Sequence, residues 1–101
     1  MDTNFNYVHV KASERLENST KEKLSKLKER YDFLVSAEVY YKTEKSSSNQ
    51  KGRIVEIELS VPGPRIFASS NEENFDMALS KTINDLKRQL QKKKEKMSTH
   101  L

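Results

Sequence analysis

At 101 residues, 34% hydrophobic and 34% charged, the chain has material for one domain with a thin core and too little for a catalytic cleft between domains. No apolar run approaches the roughly 18 residues that span a bilayer, and the N-terminus lacks a basic-then-apolar leader, so the chain is expected to stay where it is made. Cysteine is absent, which excludes disulfide and thiol chemistry and fits a reducing cytoplasm. A net charge of +4 and a pI near 9.3 point to a polyanionic partner, with nucleic acid and acidic membrane surface both open at this level.

Residues Asn4 to Val10 read as a strand, but the apolar phase is divided. Val8, Val10 and Ala12 fall on one side and Phe5 and Tyr7 on the other, which predicts a bulge or an edge strand. Ser13 is a suitable N-cap, and Glu14 suits the first turn that follows. Leu16, Thr20, Leu24, Leu27 and Tyr31 then recur on one helical face, predicting a helix to about Asp32. Its flank carries Arg15, Lys23, Lys26 and Arg30, and six basic against five acidic residues from Ser13 to Phe33 favour intrahelical pairing for most of these charges.

Strict alternation begins at Ala37, with Val39, Tyr41 and Thr43 on one phase and Glu38, Tyr40, Lys42 and Glu44 on the other. Lys45 to Gly52 predicts a long flexible hairpin loop. The returning strand has Val55, Ile57, Leu59 and Val61 inward, with Glu56, Glu58 and Ser60 outward. Pro62-Gly63-Pro64 predicts a turn, Arg65 to Ser69 a short last strand, and Ser70 or Asn71 the cap of a last helix with Glu72 and Glu73 in its opening turn. The expected fold is α+β, in the order β-α-β-β-β-α. A four-stranded sheet should carry both helices on its apolar face.

The last helix places Phe75, Ala78, Leu79, Ile83, Leu86 and Leu90 towards the core. Lys81, Arg88, Lys92 and Lys96 line a second stripe well away from it. From Asn74 onward seven Lys/Arg oppose three Asp/Glu, a surplus equal to the +4 of the whole chain. Lys93 takes the angle of the next core residue, so the helix is expected to project or fray from about residue 90, carrying Lys92, Lys93, Lys94 and Lys96. The open sheet face is mostly acidic, with Tyr40 its one aromatic candidate, so a polyanion should meet the helices and bases should not stack on the sheet.

Catalysis finds little support. His9 and His100 are not spaced to bind metal, and neither glycine opens a phosphate-cradling loop before a helix. Glu56 and Glu58 share a strand face, but alternating carboxylates on a solvent face are the ordinary pattern. No cofactor, metal or small-molecule substrate is implied.

The residues do resemble a known family. Leu86-Lys87-Arg88-Gln89-Leu90-Gln91-Lys92-Lys93-Lys94-Glu95-Lys96 is similar to the arginine-glutamine-leucine ending, followed by alternating lysines, of bacterial ribosome hibernation promoting factors and ribosome-associated inhibitors in their short form. Ser13-Glu14-Arg15-Leu16, Lys23-Leu24-Ser25-Lys26-Leu27 and Ala68-Ser69 match in register, and the resemblance covers essentially the whole chain as a single ribosome-binding domain. It implies binding to rRNA of the small ribosomal subunit, in the channel of messenger RNA and tRNA anticodon ends, and a block of translation in stressed or stationary cells. It carries Lys23, Lys26, Arg88, Lys92, Lys94 and Lys96 over as rRNA contacts, and the charge pattern adds Arg30, Lys81, Lys87 and Lys93.

Departures are local. Asp85 stands where the family has a lysine, with Lys87 on the neighbouring face; Asp76 replaces an aromatic; the 45–52 loop is longer. The second domain of long forms and the acidic tail of the ribosome-associated inhibitor are not seen, which favours the hibernation-promoting short form and a monomer off the ribosome. Two other readings are carried: a general double-stranded-RNA-binding domain, and a protein-interaction adaptor whose basic helix end docks on an acidic partner.

Overall fold

The computed structural model describes residues 1–45 and 51–98, so residues 46–50 of the expected loop and His100 lie outside the described residues. The order is β1 (Asp2–Val8), α1 (Glu14–Arg30), β2 (Ser36–Thr43), β3 (Arg53–Ser60), β4 (Ile66–Glu72) and α2 (Phe75–Ser98). The four strands form one sheet in sequence order. β1 runs parallel to β2, with α1 as the crossover that parallel neighbours require, and the other pairings are antiparallel.

Alternation on β2 and β3 sends Ala37, Val39, Tyr41, Val55, Ile57 and Leu59 to one face, where all are buried. Both helices cover that face. From α1 come Leu16, Leu24 and Leu27, and from α2 Ala78, Leu79, Ile83, Leu86 and Leu90, all in the same hydrophobic core. Two buried threonines join helix to sheet. The hydroxyls of Thr20 and Tyr41 form a hydrogen-bonded pair against the Leu16 carbonyl, which accepts the proton the pair leaves over, while Thr82 donates to the Val55 carbonyl at 3.2 Å. Phe5, Tyr7 and Phe75 pack around the Tyr41 ring at centroid distances of 6.1, 5.3 and 5.9 Å.

The divided phase of the first strand has a simple cause. β1 stops at Val8, which is exposed, and His9 turns the chain with φ at 58°, so Phe5 and Tyr7 hold the inward phase. No bulge is needed. Ser13 caps α1 as expected, its hydroxyl accepting from the Leu16 amide at 3.2 Å.

The entry to α2 differs from expectation. β4 continues through Glu72, because Ser70 and Asn71 pair with Val55 and Ile54 and extend the ladder. Asn74 caps the helix instead, its side-chain oxygen accepting from the Met77 amide at 2.8 Å, and Asp76 is the acidic residue of the first turn. Asn71 ties the neck of the β2–β3 connection. Its oxygen accepts from the Gly52 amide at 2.6 Å and its amide donates to Glu44 at 2.7 Å. Gly52, at φ 121°, closes that neck where a Cβ would meet the Glu44 carbonyl oxygen at 2.9 Å.

On the open face the carboxylates are engaged. Glu38 accepts from Asn4 and Asn6 at 2.8 and 3.0 Å, and these two bonds hold its carboxyl below the ordinary carboxylate value. Glu56 pairs with Lys42 at 2.7 Å and Glu58 with Arg65 at 2.6 Å. Tyr40 lies beneath the Lys42 ammonium, 5.4 Å from its centroid.

Burial pushes the Tyr41 hydroxyl from an ordinary 10.0 up to about 12. The folded state therefore favours the protonated phenol, and its contribution, complete below pH 10, is lost as pH rises through 12. In urea titrations Tyr41→Phe should cost about 1 kcal/mol at neutral pH, because its hydrogen bonds are removed. Above pH 10 its stability should fall less steeply with pH than that of the parent chain; equal slopes would remove Tyr41 as the cause.

Candidate nucleic-acid interface

Because α1 and α2 share one face of the sheet, they meet along a groove. Arg15 and Asp76 clasp its N-terminal end across the two helices through paired contacts of 3.1 and 3.3 Å. Further along, Lys23 and Lys26 of α1 and Lys87 of α2 line a recess of about 250 Å³ with Ser80, Ile83 and Asn84. The apolar stripe explains this placement. Leu24, Leu27, Ile83 and Leu86 point to the core, so the residues beside them on each helix stand at the seam.

A second recess, about 420 Å³, opens towards the C-terminus of α1. Arg30, Lys87, Arg88 and Lys92 line it around Tyr31. Tyr31 is buried, donates to Gln91 at 3.0 Å, and has Arg30 and Lys94 at 5.6 and 5.7 Å from its ring centroid. One aromatic ring thus steadies a cation from each helix.

The third recess, about 380 Å³, lies on the other flank of α2, against the turn between β3 and β4. Lys92, Lys93 and Lys96 line it together with Arg65. Lys93 does follow the core-facing angle, but the Pro62–Pro64 turn fills the place of a core neighbour. The Lys93 ammonium lies 3.3 Å from where a Gly63 Cβ would stand, and Lys93 is half-buried. Met97, at the end of the helix, is exposed.

The ten sequence-derived cations therefore do not form one stripe. Lys23, Lys26 and Lys87 share the groove, and Arg30, Lys87, Arg88 and Lys92 the adjoining recess. Lys94 sits over Tyr31, and Lys93 and Lys96 face the turn. Lys81 stands apart, paired at 3.1 Å with Glu72, whose side chain is only 17% exposed. Lys26 and Arg88 have intrahelical partners, Glu22 at 3.7 Å and Asp85 at 3.6 Å. Among the described residues, Lys23, Lys87, Lys92 and Lys93 have no carboxylate within 4.0 Å.

Sequence reasoning places Arg65 at the start of a strand and so misses it as a member of this surface. The signal present in the sequence is its position directly after a Pro-Gly-Pro turn. Among the described residues no His, Cys, Asp and Glu cluster able to hold a metal is present, and no helix is long and apolar enough to cross a membrane.

Known proteins share this fold. The ribosome hibernation promoting factor of Pseudomonas putida is 30% identical over 101 residues, covering 100% of this chain and 94% of that relative. Among solved structures, a ribosomal subunit interface protein from Coxiella burnetii superposes with a TM-score of 0.79 at 21% identity, covering 94% of this chain and 99% of that one. The N-terminal domain of Thermus thermophilus Protein Y gives 0.74 at 18% identity, covering 91% and 98%. At those identities the two structures speak for the fold alone. Residues 3–98 match the family described as sigma 54 modulation protein / S30EA ribosomal protein, and the chain belongs to that family.

Proposed function

We propose that the chain is a ribosome hibernation factor that docks on rRNA of the small subunit, in the decoding channel, and excludes messenger RNA and tRNA. It acts by occupancy and not by catalysis, in the cytoplasm, where ribosomes are. Family membership and the 30% identical hibernation promoting factor support the ribosome as partner. The observation that carries the finer reading is the basic surface running from the interhelical groove along the C-terminal half of α2.

Phosphate binding is physically suited to this surface. The pairs of Lys26 with Glu22 and Arg88 with Asp85 are solvent-exposed and long, and such pairs contribute at most about 1 kcal/mol. A phosphodiester can displace them. Lys23, Lys26, Arg30, Lys87, Arg88, Lys92, Lys93, Lys94 and Lys96 are the proposed contacts, and each phosphate neutralised adds roughly 0.7–0.9 to the salt slope through counterion release. Lys81, the tenth candidate, is held by Glu72 and stands outside this set.

Sucrose-gradient sedimentation with purified small subunits tests the reading. The parent chain should migrate with the subunit, and Arg88→Glu with Lys92→Glu should abolish this at moderate salt while the circular dichroism spectrum is unchanged. Co-sedimentation of the double variant at parental affinity would sink the contact assignment. Equal affinity for a plain A-form duplex would turn the reading into that of a general duplex binder.

Asp85→Asn offers a gain-of-binding counterpart. Removing a carboxylate 3.6 Å from Arg88 should tighten subunit binding about two- to five-fold, the range an exposed pair allows, with a steeper salt dependence. Unchanged affinity would mean that Asp85 does not compete with phosphate for Arg88.

A further inference from the structure

The cations of α2 face two ways. Lys87 opens into the groove with α1, whereas Lys93 and Lys96 line the recess against the β3–β4 turn. Lys87 and Lys96 are nine residues apart, about half a turn at roughly 100° per residue, so they occupy opposite flanks of a cylinder about 10 Å across. A single phosphate row cannot run along both flanks.

The turn-side recess has features of an anion seat. Its polar lining is Arg65, Gln89, Lys92, Lys93 and Lys96, with no carboxylate among the lining residues. Arg65 stands at the rim between the recess and the open sheet face, where Nη1 donates to Glu58 at 2.6 Å, and its side chain remains 67% exposed. A guanidinium has five N–H donors, so the others can be offered to a phosphate. The Lys93 ammonium lies beside the turn. Gly63, at φ 86°, has no Cβ where the ammonium lies, so the tight turn and the lysine fit together. Gln89 donates to the Phe67 carbonyl at 2.9 Å, which fixes α2 against the edge of β4 and sets the width of the recess.

We propose that this recess is a second phosphodiester-binding site, with Arg65 and Lys93 as contacts, so that α2 lies between two separate backbone segments of the bound RNA. The proposal rests on the reading of the chain as an rRNA-binding factor and extends the interface from the helices to the β3–β4 turn. The partner it selects is folded RNA offering two backbones across a cleft. A single extended strand satisfies one flank only.

The test is a salt-dependent titration of the full chain against purified small subunits, with polyuridylate and polyglutamate as competitors. Arg65→Gln with Lys93→Gln should weaken binding roughly tenfold or more, the scale of charge-assisted hydrogen bonds, and lower the salt slope by about 0.7–0.9 for each phosphate no longer neutralised. Lys23→Gln with Lys87→Gln should do the same from the groove side, and the two effects should combine. Glu58→Gln separates phosphate binding from scaffolding, because it removes the carboxylate beside Arg65 and keeps the guanidinium. Binding at or above parental affinity supports the phosphate contact. A weakening as large as that of Arg65→Gln with Lys93→Gln assigns the pair to the fold and overturns the proposal.

Parental affinity and slope for Arg65→Gln with Lys93→Gln, alongside weaker binding by the groove variant, overturns the second site and leaves the ribosomal reading standing. Failure of the parent chain to bind subunits overturns that reading itself. Competition by polyglutamate in preference to polyuridylate would reassign the recess to an acidic protein surface.

Discussion

The constraint on which the rest depends is the two-residue alternation of β2 and β3, which leaves the sheet one face to bury. With Val39, Tyr41, Val55, Ile57 and Leu59 inward and Glu38, Glu56 and Glu58 outward, both helices must lie on the same side. A sheet covered on both faces would have separated α1 from α2. Covered on one, it sets them side by side, and the groove lined by Lys23, Lys26 and Lys87 follows from that adjacency. The buried hydroxyls of Thr20, Tyr41 and Thr82 then fix each helix to its strand, because unpaired they would carry a desolvation cost.

Electrostatics divide the molecule less cleanly than a basic side and an acidic side. The open face of the sheet carries Lys42 and Arg65 against Glu56 and Glu58, so it is closer to balanced than the sequence pattern of carboxylates implies. On the helices the short pairs are those that tie elements together, Arg15 with Asp76 and Lys81 with Glu72, both at 3.1 Å. The pairs within one helix are longer, 3.6 and 3.7 Å, and lie where the proposed contacts are. Asp76, one of the departures from the family pattern, thus has a local role: it draws Arg15 into a link between the helices and away from the lysines of the groove.

Periodicity made most of the architecture legible, because burial and period have the same cause. The core faces of α1, β2, β3 and α2 could be read residue by residue, as Leu16, Thr20, Leu24, Leu27 and Tyr31 illustrate. What escaped were features decided by contacts distant in sequence. Asn71 looks like a helix cap, since its side chain suits one, but pairing with β3 extends β4 past it and its amide bonds across to Glu44 and Gly52. Val8 and Val10 look like inward residues until His9 takes positive φ and ends the strand. Arg65 joins the lysines of α2 only because a tight turn folds beneath the helix. Lys93 shows the same limit from the other side: its core angle was visible in the sequence, and the turn that receives it was not.

Preorganisation distinguishes this surface from a merely charged one. A flexible lysine loses about 0.5–1.5 kcal/mol of conformational freedom when a ligand immobilises it, so cations already confined bind phosphate at lower cost. Tyr31 confines Arg30 and Lys94 by their approach to its ring, and its bond to Gln91 holds the ring against α2. Glu58 confines Arg65, and the Lys93 ammonium lies beside the Gly63 turn. Residues that read in the sequence as core or turn are therefore part of the proposed interface, since they decide where its charges stand.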